Sequence, residues 1–220
     1  MKQQGMIRDR AGLEEAVRRY GILPFFANRV PGWSLEERID PGKWFTDDDG
    51  PWEWKGPLAY GKACVYGKFI RNKAAFVNPE WVAQLANYRR DGLSFEERAE
   101  AGLAPHKDRL LMAYVAARPG ELSKYARREC GFSQGYDGVL TRLQMQTYLI
   151  DQDFRYSVDK YGRPYGWGNA ALIRAEDWLG EDFLAEVEDL EPEASFELIV
   201  DHLRGVLPGV DEEALRKELK

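Results

Sequence analysis

The sequence predicts an α+β protein. It divides into a small N-terminal α+β unit with a β-hairpin over residues 1–104, a winged helix-turn-helix over residues 105–173, and acidic helices over residues 174–220. Three observations carry this reading. Residues 58–77 alternate in character around a short polar turn, as a hairpin does. Residues 105–173 run helix, helix, turn, helix and hairpin, the order of a winged helix. Residues 176–220 carry 15 acidic and 4 basic side chains on helical periodicity.

The elements follow in order. Leu13, Ala16, Val17 and Tyr20 share one face of a helix over Arg10–Tyr20, and Gly21 ends it. ILPFF at 22–26 reads as a buried connector. Ser34 with Glu37 three places on has capping-box spacing and starts a short helix over 34–38. Residues 46–57, TDDDGPWEWKGP, hold three aspartates, two glycines and two prolines around two tryptophans, and so read as an ordered loop. In the strand that follows, Tyr60, Lys62, Cys64, Tyr66 and Lys68 share one parity and Ala63, Val65, Gly67 and Phe69 the other, giving two unlike faces. The turn falls at Arg71-Asn72-Lys73. Asn78 caps a helix opened by Pro79 and closed by Arg89-Arg90-Asp91-Gly92; Ser94 with Glu97 caps another, short helix.

Beyond residue 104, Leu110, Leu111, Tyr114 and Val115 mark an apolar-faced helix. ELSKYARREC forms a short helix, FSQGYD a loop, and GVLTRLQMQTYLI a longer helix with Leu140, Leu143, Thr147 and Ile150 as its buried stripe. DFRYSV, DKYGR and PYGWGNAAL then form strand, turn and strand. Three helices are expected at the end, over 177–190, 193–207 and 211–219, the last capped by Asp211.

Composition excludes several classes. At 44% hydrophobic, 13% aromatic and 31% charged, the 220 residues describe a globular chain rather than a disordered or coiled-coil one. No apolar run approaches the ~18 residues of a membrane span, and the start lacks the apolar core of a secretory leader, so no membrane partner is expected and the cytoplasm is the expected compartment. Cys64 and Cys130 lie far apart with no CxxC spacing, and His106 and His202 are the two histidines, which argues against a zinc site or a disulfide framework. GxSxG, GxGxxG and P-loop patterns are absent, and no metal or other cofactor is expected.

The net charge of −6 is unevenly spread: residues 56–175 carry 18 basic and 12 acidic side chains, so a basic middle precedes the acidic end. That asymmetry fits a surface for a polyanion, provided the C-terminal carboxylates are held clear of it; a solvated acidic tail is the plainer explanation. In a winged helix the third helix enters the major groove of duplex DNA. Its N-terminal part and the preceding loop supply Ser133, Gln134, Tyr136, Thr141 and Arg142; the wing supplies Lys160 and Arg163, and the second helix Lys124, Arg127 and Arg128. Lysines and arginines contribute counterion release, while Gln134 or Arg142 is suited to reading a base edge. The alternative from another class is a non-catalytic winged-helix module for protein–protein contact.

Two local features suit chemistry. Trp52-Glu53-Trp54-Lys55 places a carboxylate between two indoles, a composition able to stack an extruded base and act on it, with Glu53 as acid; a satellite core locking the loop is the competing explanation. Tyr165-Gly166-Trp167-Gly168 on the second wing strand carries the same ambiguity, with packing the simpler explanation. The second feature is Gln144-Met145-Gln146 in TRLQMQTYL. This glutamine, apolar, glutamine triplet resembles the signature of the AlkZ-type alkylpurine DNA glycosylases, which are built from winged helices. Through GPWEWKGP, YGKFIRNKAAFV, NYRRDG, TRLQMQTYL and YGRPYGWG most of the chain resembles the bacterial proteins called AlkZ-related.

Both glutamines are needed for base excision in those glycosylases, so the resemblance implies catalytic roles for Gln144 and Gln146 and a role in DNA repair. An N-alkylated purine is already a good leaving group, and a glutamine amide can orient the attacking water without ionising. Periodicity adds a geometric condition. Residues i and i+2 of a helix stand ~200° apart, so two mid-helix glutamines diverge and only an extended segment turns both to one side. Solvated helix glutamines are the plainer explanation. Arg89-Arg90 reads as a charged helix end that complements the dipole, with phosphate contact as the second option.

Overall fold

A computed structural model of the chain describes residues 6–45 and 49–220. Among the described residues it holds eleven α-helices and two three-stranded antiparallel sheets, an α+β architecture. None of the helices is long and apolar enough to cross a membrane.

Helix α1 (Arg10–Tyr20) starts where the Asp9 carboxylate accepts from the Gly12 N–H at 2.8 Å, and it buries Leu13, Val17 and Tyr20. It stops at Gly21, which has a φ of 68° and lies under the Trp81 indole, where a Cβ would come within 2.7 Å of the ring. The ILPFF segment is more than a connector. Ile22–Pro24 forms strand β1, fully buried and paired with β3, because the short apolar run supplies one edge of the first sheet. Helix α2 (Leu35–Arg38) follows the expected Ser34 cap.

The loop expected over 46–57 is instead largely a helix, α3 (Pro51–Tyr60), which also takes the first residues expected in the strand. Residues 46–48 of that expectation lie outside the described residues. Pro51 occupies the first turn, where its missing N–H costs nothing, and Trp54 and Leu58, four apart, bury one face. That burial outweighs the breaking tendency of Gly56 and Pro57 in so short a helix.

Strands β2 (Val65–Ile70) and β3 (Lys73–Val77) form the hairpin, with Arg71 and Asn72 both at positive φ in the two-residue turn; the sheet order is β1-β3-β2. The expected contrast between the two faces of β2 is absent. Five of its six residues are buried, because later elements cover its second side. Helix α4 (Pro79–Arg90) has the Asn78 cap, and α5 (Phe95–Glu100) the complete Ser94–Glu97 capping box.

The second half continues with α6 (His106–Ala117), β4 (Glu121–Leu122), α7 (Ser123–Glu129), α8 (Tyr136–Met145), β5 (Leu149–Val158) and β6 (Pro164–Arg174), with sheet order β4-β6-β5. Helix α8 is shorter than expected. Thr147 adopts a left-handed φ of 62°, and Leu149 and Ile150 already belong to β5. Helix α9 (Ala175–Leu179) and a 3-10 stretch (Glu181–Val187) replace the single helix expected over 177–190, broken at Gly180 with a φ of 104°. Helices α10 (Pro192–Val206) and α11 (Glu212–Leu219) close the fold.

Two cores result. The first joins α1 to α4, both strands of the first hairpin, and Phe196, Ile199, Leu203 and Leu215 of the C-terminal helices. The second lies among Leu111, Val115, Ala126, Leu140, Leu143, Tyr148 and Leu172. Ile150 and Ile173, paired across the base of the second hairpin, belong to the first core, so β5 and β6 tie the two together. The acidic helix α10 packs on α1 and α4. Arg90 is a second tie. Fully buried, it donates to the Thr147 hydroxyl at 3.1 Å and the Thr147 carbonyl at 2.8 Å, pairs with Glu176, and lies 4.4 Å over the Tyr148 ring. Arg89 donates to the carbonyls of Phe69 and Leu219. The arginine pair is therefore structural, and neither guanidinium is offered to a phosphate.

Candidate functional site

Gln144 lies on the face of α8 that packs against β2, and it is buried to 1% exposure. Its Oε1 accepts from the Lys68 backbone N–H at 3.3 Å, and its Nε2 donates to Asp151 Oδ1 at 2.7 Å. Both ends of the amide are thus spoken for. Asp151 is the third residue of β5, beside an irregularity in the β5–β6 register between Asp151 and Asp153, a place where a strand turns a side chain out of strict alternation. Burial pushes its carboxyl up to about 7; the bond from Gln144 and the positive charges of Lys68 and Lys55 oppose that rise. Lys68 Nζ donates to the Thr141 hydroxyl at 3.0 Å.

Lys55 is buried on α3, with its ammonium 4.3 Å from the Phe154 ring centre and 5.0 Å from that of Trp52. Burial lowers its pKa, and the negative charges of Asp151 and Glu53 offset part of that. In this seam burial thus disfavours the charged form of both groups, and the charge of each on the other is part of what opposes it. Asp151 did not stand out in the sequence, and Lys55 did so only as the last residue of the Trp52–Lys55 segment, without a role of its own. The one local signal was an acid directly after the buried pair Leu149-Ile150.

The tryptophans of α3 separate. Trp54 is buried and donates its indole N–H to Asp49 at 2.7 Å, so it packs and is not available to stack a base. Trp52 is half-buried, edge-on to Trp167 and Trp44 with ring centres 5.8 Å away in each case. Its indole nitrogen is buried without a hydrogen-bond partner, and so is Oε2 of the neighbouring Glu53. Tyr156 donates its hydroxyl to the Trp52 carbonyl at 3.4 Å. One donor and one acceptor on adjacent residues are therefore unspent beside Lys55.

The two glutamines of the triplet differ in setting. Gln144 turns into the seam, whereas Gln146 is the half-buried cap of α8, its carbonyl accepting from the Thr147 hydroxyl at 2.6 Å. Of the surface set, Lys124, Arg127, Ser133, Gln134, Lys160 and Arg163 are exposed, the Gln134 carbonyl accepts from Lys107, and Arg163 approaches Asp159 at 3.5 Å. Arg128 is exposed but pairs with Glu129. Arg142 grips Asp108 with two hydrogen bonds, one of 2.7 Å, and that bond raises its pKa further. Thr141 is half-buried and takes Lys68. Tyr136 is buried, with its hydroxyl 2.9 Å from that of Ser123, and does not reach the surface where the sequence expected it.

The family model for AlkZ-related proteins matches residues 7–220. The chain belongs to the AlkZ-related family. No curated protein and no solved structure matches it. Membership supports a relationship to glycosylase-like DNA repair. In this AlkZ-related protein the first glutamine of the triplet holds a buried carboxyl, and among the described residues Glu53 has a buried carboxylate oxygen without a hydrogen-bond partner.

Proposed function

We propose that this AlkZ-related protein is a DNA-binding repair protein of glycosylase type. In this reading residues 105–173 form a winged helix, flanked by an α+β domain over 1–104 and an acidic helical segment over 174–220. The sequence of elements from α6 to β6 supports that assignment, and the packing of α10 on α1 and α4 supports a basic face left open by the acidic helices. Duplex DNA would meet Lys124 and Arg127 on α7, Ser133 and Gln134 before α8, and Lys160 and Arg163 at the hairpin tip.

The observation that carries the catalytic part is the seam itself. Gln144, one of the two glutamines of the triplet, is buried against Asp151, whose charge acts on Lys55, and Lys55 lies over the Trp52 ring and feels the charge of Glu53, which has an unspent oxygen. An alkylated purine carries a positive charge, so its bond to C1′ breaks with the electron pair passing to the ring, and no strong acid is needed. Water then bonds to C1′ and loses a proton, which Glu53 is suited to accept while its charge stabilises the oxocarbenium-like sugar. Trp52 offers the stacking surface for the extruded base. Gln144 acts through Asp151 as a positioning residue, and Gln146 lies outside the centre.

The test is binding of a labelled duplex at rising salt. Affinity falling log-linearly, with a slope of about −0.9 per phosphate contacted, supports the reading. No binding at low salt overturns it and leaves the non-catalytic interaction module.

A further inference from the structure

Among the described residues, five of the ten most exposed large hydrophobic side chains fall within 156–167: Tyr156, Val158, Tyr161, Tyr165 and Trp167. Exposed aromatics gathered on one hairpin mark an interaction surface. Trp167, 78% exposed, is the outer end of a row of rings. Its neighbour Trp52 lies 5.8 Å away, Trp44 lies 5.8 Å beyond that, and Phe45, 87% exposed, 6.3 Å further on. The row therefore runs from the second hairpin to the N-terminal unit with both ends bare.

The surroundings of Trp167 leave it accessible. Gly166, at a φ of 74°, has nothing within 4 Å of where a Cβ would stand. On the other side Gly168 lets Phe154 and Tyr156 close against the backbone, at 3.0 and 3.1 Å from such a Cβ.

The charges on the same hairpin complement a phosphate chain. Lys160 and Arg163 lie 4.9 and 5.1 Å from the Tyr161 ring centre, and Arg155 is exposed two strand positions before Ser157. The facing acids are partly spent. Asp159 accepts from the backbone of Tyr161 and Arg163 and lies 3.5 Å from the Arg163 guanidinium, and Asp153 accepts from that of Phe154 and lies 3.9 Å from the Arg155 guanidinium, so two of the three cations also meet a carboxylate of the hairpin. Rings interleaved with arginine and lysine, with Val158 the one aliphatic side chain among the five, fit single-stranded nucleic acid better than an apolar protein surface.

We propose that this hairpin is a stacking platform for unpaired DNA bases, with Trp167 and Tyr165 as the stacking rings and Arg155, Lys160 and Arg163 as the phosphate partners. The inference rests on the DNA-binding reading above and names its substrate: DNA in which bases have left the stack. The same surface would hold the strand opened when a damaged base is extruded toward Trp52.

The experiment is fluorescence anisotropy of the full chain with three labelled probes: a 20-mer of dT, a 20-base-pair duplex, and that duplex with a central unpaired bubble. The expected result is bubble and dT affinity at least ~10-fold above that for the duplex. Trp167→Ala should remove about tenfold from the first two and leave the duplex affinity unchanged, while Trp167→Phe should retain most of the preference. Because Trp167 is exposed, thermal unfolding of each variant should match the wild type. Equal affinity for all three probes, or an equal loss on all three in Trp167→Ala, overturns the platform and leaves duplex binding standing. Absence of binding to any probe at low salt overturns both.

Discussion

Gln144 and Asp151 face each other across the joint between α8 and β5, amide Nε2 to carboxyl Oδ1 at 2.7 Å, and the same amide holds the Lys68 N–H through Oε1. One side chain thereby fastens the helix, the second hairpin and the first hairpin at one point.

Truncation at that point should be costly. Gln144→Ala strips a buried carboxyl and a buried backbone N–H of their partners, a loss of about 1–3 kcal/mol, whereas Gln146→Ala, at a half-buried cap, should stay within about 0.5 kcal/mol of the wild type. Urea midpoints of the two variants check this. Similar destabilisation by both would mean that the fastening is not specific to Gln144.

Asp151 sets a pH dependence. Its carboxyl is raised from 3.8 to about 7 in the folded chain, so below about pH 4 it is protonated whether folded or unfolded. Between about 4 and 7 the folded chain keeps a proton that the unfolded chain has released, and stability falls as pH rises, by up to about 1.4 kcal/mol per pH unit from this group. Asp151→Asn removes that dependence. Thermal unfolding should show the variant more stable than the wild type at pH 8 and nearly equal at pH 4; equal stability at pH 8 would show that Asp151 ionises in the fold without cost.

Arg90 ties the two cores through a buried guanidinium. Arg90→Ala leaves Glu176 and Thr147 without their donor and opens a void under Tyr148, with an expected cost of about 3–5 kcal/mol, read from denaturant unfolding. A loss below about 1 kcal/mol would mean that the tie contributes little.

The basic surface is not uniform in what it offers DNA. Lys124 and Arg127 on α7 are exposed, while the charge of Arg142 is met by Asp108. The double variant Lys124→Ala/Arg127→Ala should flatten the salt slope of duplex binding by about 1.8, and Arg142→Ala should change it by less than half as much. The reverse order would move the DNA contact from α7 to α8.

Much of the fold could be read locally. The caps at Ser34, Asn78, Ser94 and Asp211 and the turn at Arg71-Asn72 are decided by residues within a few positions of one another. Where tertiary packing decides, local signals misled. Gly56 and Pro57 read as breakers, yet Trp54 and Leu58 had a core to enter. Leu143, Thr147 and Ile150 kept helical spacing although Thr147 turns left-handed and Ile150 lies in a strand. The seam was the least legible part, because Gln144 meets Lys68 across 76 residues and only that contact gives Asp151 its setting. Gln144 and Glu53 were visible as candidates; Asp151, and the burial that gives Lys55 its role, needed the fold.

The most direct measurement is release of 7-methylguanine from an N7-methylated duplex by the wild type, Glu53→Gln, Gln144→Ala and Gln146→Ala, each first shown to be folded. Turnover by the wild type and by Gln146→Ala, with rates reduced by at least ~100-fold in Glu53→Gln and clearly in Gln144→Ala, is the expected result. No base release by the wild type, or equal release by all four proteins, would contradict a reaction centre at this seam.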